Sequence, residues 1–308
     1  MSAPRRTLRA RGRAIALGGA PLLMGIVNAT PDSFSDAGQL PDVEARVARA
    51  RVLAAAGAGI VDVGGESAVG GRPAVDPAAE IARVVPVVER IVAELDAVVS
   101  VDTYKPAVAE AAVEAGAAIV NDVSGLRDPA IAEVCARTGA GLVIMHTRVA
   151  PKGTLLDPDA YADVAADVRA FLAERTALAL STGVREEQIV LDPGPDFAKT
   201  PAQTVTVLRA VAELHALGRP LLLPVSRKDF LGAITGRRPR DRGAATLAAV
   251  GWAADVGAHI IRVHDVAAAA DFLAVRSVLH GDRELAPAEG LTPDRYPDGM
   301  PASLQRAR

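Results

Sequence analysis

"AVVSVDTYKPAVAEAAVEAGAAIVND", residues 97–122, holds one complete structural unit. It opens with an apolar run ending in Asp102, crosses a lysine-proline step, continues as an alanine-rich amphipathic stretch over 106–115, and closes on a second apolar run ending in Asn121 and Asp122. Apolar run, helix, apolar run is the pattern of a parallel βαβ unit, whose strands are covered on both faces and so lack polar alternation. The pattern extends in both directions. "LLMGIV" and "GIVDVG" precede this unit, and "GLVIMH", "QIVLDPG", "PLLLPVS" and "HIIRVHD" follow it, eight runs in all. Stretches of helical period at 42–56, 77–94, 128–138, 158–182, 202–217, 241–256 and 265–279 fill the intervals. Eight β-then-α units with no reversal of strand order predict a single α/β domain, a (β/α)8 TIM barrel, for which ~250 residues suffice. The expected boundaries are a short N-terminal lead-in over 1–21, the barrel over 22–282 and a polar C-terminal tail over 283–308, the last expected to be flexible.

Composition narrows the function. With 50% hydrophobic and 23% charged residues in 308, the chain has the makeup of a well-cored globular protein. A net charge of −3 gives no overall attraction to nucleic acid or to an anionic membrane, so any anion must be held locally. No stretch approaches the ~20 strongly apolar residues of a membrane span. Arg5, Arg6, Arg9, Arg11 and Arg13 ahead of an apolar segment imitate a signal peptide, but Gly18, Gly19 and Pro21 interrupt that segment. A lone cysteine, Cys135, has no internal partner and fits a reducing compartment. The expectation is a cytoplasmic protein with a basic, partly ordered lead-in.

The apolar runs end in residues that a buried strand would not choose for packing: Asn28, Asp62, Asp102, Asn121 with Asp122, His146, Asp192, Ser226, and Arg262 with His264. In a barrel these are the carboxyl ends of the strands, where active sites of the fold lie. Any one of them is explained as a turn or helix cap, but their number and varied chemistry point to a converging polar pocket. Asp102, Asn121 and Asp192 offer groups suited to the donor-acceptor edge of a flat heterocycle, a pterin or a base, while Lys228 and Arg262 add donors, a stacking plane and a place for phosphate. Asn28 is an oxygen ligand suited to magnesium, which keeps waters and substrate phosphates in its shell. The sequence carries no zinc-spaced His/Cys cluster, nucleophile elbow, Walker loop or dinucleotide fingerprint.

"MGIVNATPDSFSDAG", "VDVGGES", "SVDTYKPAVAEAA", "AGAAIVNDVSG", "VIMH", "VLDPGPDFAKT", "PVSRKDF" and "IRVHDV" resemble, in order from residue 24 to about 266, the successive motifs of the dihydropteroate synthase family. The resemblance implies a transferase of folate biosynthesis that condenses para-aminobenzoate with 6-hydroxymethyl-7,8-dihydropterin pyrophosphate, uses Mg2+ and forms a homodimer, with no nucleic-acid or membrane partner. It implies that Asp102, Asn121, Asp192 and Lys228 hold the pterin, with Met145 packing nearby and Arg262 stacking on it. Asn28 would serve magnesium and pyrophosphate, and Arg262 with His264 the leaving pyrophosphate. Thr30, Pro31 and Phe34 would belong to a mobile first loop that closes over the aminobenzoate pocket.

Three departures from the family pattern fall on the pyrophosphate and aminobenzoate sides. Ala68 and Val69 stand where threonine and arginine are usual, with Arg72 three residues on as a substitute charge. Asp229 replaces a serine near the aminobenzoate carboxylate, where it would repel substrate unless it points away, is protonated, or pairs with a base such as Arg227 or Arg237. Asp196-Phe197-Ala198 replaces Gly-Phe-Gly, adding bulk and negative charge near Asp192. The alternatives are therefore a pterin-binding paralogue with lost or altered synthase activity, and a methyltetrahydrofolate-dependent methyltransferase on a similar barrel.

Overall fold

The computed structural model describes residues 3–29, 40–67 and 73–285. Its elements run β1 (Ala3–Ala10), β2 (Arg13–Gly19), β3 (Leu22–Asn28), α1 (Leu40–Ala55), β4 (Ala58–Gly64), α2 (Pro77–Glu94), β5 (Val98–Asp102), α3 (Pro106–Glu114), β6 (Ile119–Asp122), α4 (Ala130–Thr138), β7 (Gly141–Met145), α5 (Val164–Ser181), β8 (Ile189–Asp192), α6 (Pro201–Arg209), β9 (Leu222–Leu223), α7 (Asp229–Thr235), α8 (Gly243–Asp255), β10 (Ile260–Val263) and α9 (Val266–Leu279). The parallel sheet has the order β8-β7-β6-β5-β4-β3-β10-β9. A bridge from Leu191 to Leu221, with Leu191 N donating to Pro220 O at 2.9 Å, joins its two ends and closes the barrel. The (β/α)8 architecture expected from the eight apolar runs is the one observed. Within the chain, Met1–Leu273 form one compact unit and Ala274–Arg308 another.

A period of two lies inside the apolar runs. Outward residues such as Val61, Val63, Val99, Val101, Leu142, Ile144 and Ile261 pack with the surrounding helices in the main core. Inward residues Met24, Ile60, Ile119, Val143, Val190, Leu222 and Ile260 fill the lower barrel in a separate cluster. Two positions further along four of these strands the inward set changes character, to Asp62, Asn121, Asp192 and Arg262. The barrel is thus apolar at its amino end and polar at its carboxyl end, since parallel strands bring equal positions to equal height.

Residues 3–19, expected as a partly ordered lead-in, form an antiparallel hairpin with Ala10 paired to Arg13 across Arg11-Gly12. Both turn residues have positive φ, 49° and 80°, as a two-residue hairpin loop requires. Leu8, Ala10 and Leu17 join the inward apolar cluster, so the hairpin plugs the barrel's amino end. Among the described residues no helix is long and apolar enough to cross a membrane.

Candidate active site

At the carboxyl end of the barrel is a cavity of about 290 Å³. Asn28, Asp102, Asn121, Met145, Asp192, Lys228, Arg262 and His264 all line it, together with Glu66, Phe197 and Pro224. These are eight of the residues singled out from sequence. Strand register explains the convergence: Gly64 is level with Asp102, Asp102 with Asn121, and Met145 with Asp192.

Arg262 is the electrostatic centre. Its Nε donates to Asp62 Oδ2 and its Nη2 to Asp102 Oδ2, each at 2.7 Å. Asn121 Nδ2 also donates to Asp62 Oδ2, at 3.2 Å. That bond orients the amide and leaves Asn121 Oδ1 buried with no protein partner among the described residues; Asp62 Oδ1 is in the same position. A buried acceptor without a donor is unfavourable by ~1–3 kcal/mol until something supplies one. Burial raises the Asp102 carboxyl, against the opposing pull of Arg262, and pushes Asp192 up to about 6.

The segment after β8 carries the second half of the site. Asp192 Oδ1 accepts from Gly194 N at 2.7 Å. Gly194, Asp196 and Ala198 adopt φ of 62°, 66° and 52°, a left-handed turn. It presents Pro195 O to Lys228 Nζ at 3.0 Å and sets the Phe197 ring 4.5 Å beneath that nitrogen. Burial lowers the Lys228 pKa.

Two of the sequence departures find partners here. Asp196 turns toward the start of α7, where its carboxylate accepts from Asp229 N at 2.5 Å and Phe230 N at 3.4 Å, an N-terminal cap. Asp229, expected on the aminobenzoate side, does not line the cavity: its Oδ1 accepts from Arg242 Nη1 at 2.9 Å, so its partner is neither Arg227 nor Arg237. Both carboxylates are thereby directed to specific donors.

On the remaining wall, Ser226 Oγ accepts from His264 N at 3.2 Å and lies 2.9 Å from His264 Nδ1. The hydroxyl has its one proton free to donate to Nδ1, and in that tautomer Nε2–H is left as a donor. Burial pushes His264 down to about 4, so the ring is neutral near pH 7. Glu66, missed as a site residue, accepts from Lys105 Nζ at 2.5 Å, Lys152 Nζ at 2.8 Å and Val75 N at 3.0 Å. It thus joins the two flanks of the segment 68–72. These cations hold its carboxyl down to about 2 against burial, which acts in the opposite direction.

Two polar strand ends face elsewhere. Asp122 accepts from Ser124 N and Leu126 N and makes a turn. His146 is buried behind the cavity, where it meets Lys199 and Asp167. Thr30, Pro31 and Phe34, with Ala68, Val69 and Arg72, lie outside the described residues.

As to magnesium, no group of three or more His, Cys, Asp or Glu side chains suited to a metal occurs among the described residues. Asn28 contributes one amide oxygen, close to the cations of Arg262 and Lys228 on the same cavity. That donor set fits a hard cation only where substrate phosphate supplies most of its ligands.

Residues 24–264 match the family described as pterin binding enzyme. The chain is 48% identical over 247 residues to a probable bifunctional folylpolyglutamate synthase/dihydropteroate synthase of Halobacterium salinarum, covering 79% of this chain and 30% of that one. It therefore spans under a third of that relative's length. To the dihydropteroate synthase of Bacillus subtilis it is 42% identical over 246 residues, covering 80% of this chain and 84% of that one. Xanthomonas albilineans dihydropteroate synthase, solved with 4-aminobenzoic acid, superposes with a TM-score of 0.81 at 42% identity over 89% of this chain and 98% of its own. The same enzyme with 7,8-dihydropteroate gives 0.79 at 42% identity, over 90% and 99%. Fold and sequence agree over 84% of the Bacillus subtilis enzyme and 98% of the Xanthomonas albilineans one, and the chain belongs to the dihydropteroate synthase family of pterin-binding enzymes.

Proposed function

We infer that this chain joins para-aminobenzoate to 6-hydroxymethyl-7,8-dihydropterin pyrophosphate, giving 7,8-dihydropteroate and pyrophosphate. What supports this most is the gathering of Asp102, Asn121, Asp192 and Lys228 around one cavity, with an unpartnered Asn121 Oδ1 suited to a ring N–H or amine. Asp192 and Asn121 accept from the pterin's amino and ring N–H groups, Lys228 donates to its acceptors, and Met145 and the Arg262 plane cover its faces. Arg262 and the neutral His264 Nε2–H donate to pyrophosphate oxygens. Asn28, together with the pyrophosphate oxygens, would hold a magnesium ion, which would supply charge neutralisation for the leaving group. The aminobenzoate nitrogen forms a bond to the methylene carbon as the carbon–oxygen bond to pyrophosphate breaks, and the amine proton leaves to solvent. Rate acceleration comes from positioning and from stabilising the departing charge, so no covalent enzyme intermediate is needed. The family resemblance assigns Thr30, Pro31 and Phe34 to the aminobenzoate side and Arg72 to the pyrophosphate side, while Asp229 pairs with Arg242.

The direct test supplies purified protein with both substrates and magnesium and omits para-aminobenzoate as control. Dihydropteroate that depends on both substrates supports the synthase. No product, with pterin binding intact by calorimetry, makes the chain a pterin-binding paralogue instead.

Pterin affinity should depend on pH with a defined sign. Asp192 titrates near 6 and accepts from the ligand only as carboxylate. Binding is expected to weaken by about tenfold per pH unit below that value, where the free site carries the extra proton. Calorimetry between about pH 4.5 and 6 measures this, and an affinity that rises on acidification across that range contradicts the assigned role.

A homodimer belongs to the same reading. Leu208, Phe230, Leu231, Ile234 and Trp252 line an apolar groove of about 330 Å³ across α6, α7 and α8, with Ile234 67% exposed. Light scattering should give twice 31.7 kDa for the wild type, and Ile234→Arg should shift the mass toward one chain. A cytoplasmic setting goes with the free, buried Cys135.

A further inference from the structure

Among the described residues Lys199 heads the largest fully buried side chains, 1% exposed, and it does not line the cavity. Its Nζ has three acceptors: His146 Nδ1 at 2.7 Å, Gly194 O at 2.9 Å and Phe197 O at 3.0 Å. An ammonium has three N–H donors for three acceptors, whereas an amine has two. Behind His146, Asp167 Oδ1 lies 2.9 Å from Nε2, which places the ring proton there and leaves Nδ1 to accept. Arg148 grips Asp167 through Nε and Nη2 at 2.9 and 2.5 Å.

Two of the three acceptors are carbonyls of the left-handed turn 194–198. Through Pro195, Asp196 and Phe197, that turn supports Lys228 and caps α7, and its Gly194 N–H bonds Asp192. We infer that Lys199 is a positioning residue for the reaction: by bracing the 194–198 turn from beneath, it aims Lys228 and Asp192 at the pterin. The inference rests on the synthase reading for its turnover arm but not for its binding arm.

The brace has a pH dependence. Burial pushes Lys199 down to about 7. The groups facing it are Asp192, Asp167 and Asp196, which favour the ammonium, and Lys228, which opposes it. Above its pKa the third donor is lost, so kcat/KM should fall on an alkaline limb.

Lys199→Met keeps the shape and removes the donors. It is expected to weaken pterin binding by at least tenfold by calorimetry and to lower kcat about 100-fold, with KM for para-aminobenzoate within threefold. Lys199→Arg keeps a permanent cation and should recover part of the affinity with no alkaline limb. Asp167→Asn, on a partly exposed helix, should move the limb to lower pH, because it withdraws a charge that favours the ammonium; this holds even where Lys199→Met does not fold. Wild-type binding and turnover without Lys199, or a limb that stays in place in both Lys199→Arg and Asp167→Asn, overturns the inference. If the wild type makes no dihydropteroate, the synthase reading fails, and the pterin affinities of the three variants still decide the role of Lys199.

Discussion

Arg262→Met should lower kcat/KM by about 1,000-fold, the upper range for losing a preorganised donor at a site of developing charge. It should also destabilise the fold, which is unusual for a cavity residue. Arg262 is the cation for both Asp62, which is fully buried, and Asp102. Removing one partner of a buried pair leaves an uncompensated charge at a cost of about 3–5 kcal/mol. At roughly 3 °C per kcal/mol for a domain of this size, the melting midpoint should drop by about 10 °C. Adding Asp62→Asn removes the stranded charge, so the double variant should recover most of the stability and none of the turnover. A double variant as unstable as the single one would show that Asp62 is not what Arg262 compensates. A single variant within tenfold of wild type would remove Arg262 from the chemistry.

Gly194→Ala should be nearly as damaging, through the backbone. A methyl group there would sit 2.1 Å from His146 O, and the residue holds φ at 62°. Gly218 is the matched control: its φ is 72°, but a methyl group would meet nothing within 4 Å. Gly218→Ala carries only the left-handed backbone penalty, ~1–2 kcal/mol. Gly194→Ala carries that plus displacement of the turn that supports Lys228, so its loss should be at least twice as large, with turnover reduced more than ~100-fold. Thermal unfolding of both variants beside the turnover assay makes the comparison; equal losses would mean the turn yields to the methyl group without consequence.

The barrel and most of its cavity were legible because each strand changes from apolar to polar where packing ends and the pocket begins. Asp102, Asn121, Asp192 and Arg262 show that change in the linear sequence. What was hidden depends on contacts between distant segments. Nothing near Asp229 in the chain distinguishes Arg242 from Arg227 or Arg237; only the fold of α7 and the loop before α8 does. Asp196 read as added negative charge, since its role as a cap needs a left-handed turn that brings it to another helix. His146 and Asp122 share the polar-end signature yet face away, because a strand's last residue points in or out according to parity. The hairpin had a signal that composition obscured: Leu8 and Ala10 alternate with Arg9 ahead of Arg11-Gly12, a two-residue turn, and an apolar run from Ala14 to Leu17 follows it.

That hairpin also has a bearing on when the protein can finish folding. Leu8 and Leu17 leave the ribosome well before Leu222 and Ile260, with which they share the lower-barrel cluster. During synthesis the plug is a small amphipathic ribbon with no place to dock, and the lower barrel gains its lid only after β10 has closed the ring. The most local element in the sequence therefore completes its contacts with strands far removed from it along the chain. It acts as a latch on the finished barrel, and its docking reports that every strand between has been made and put in order.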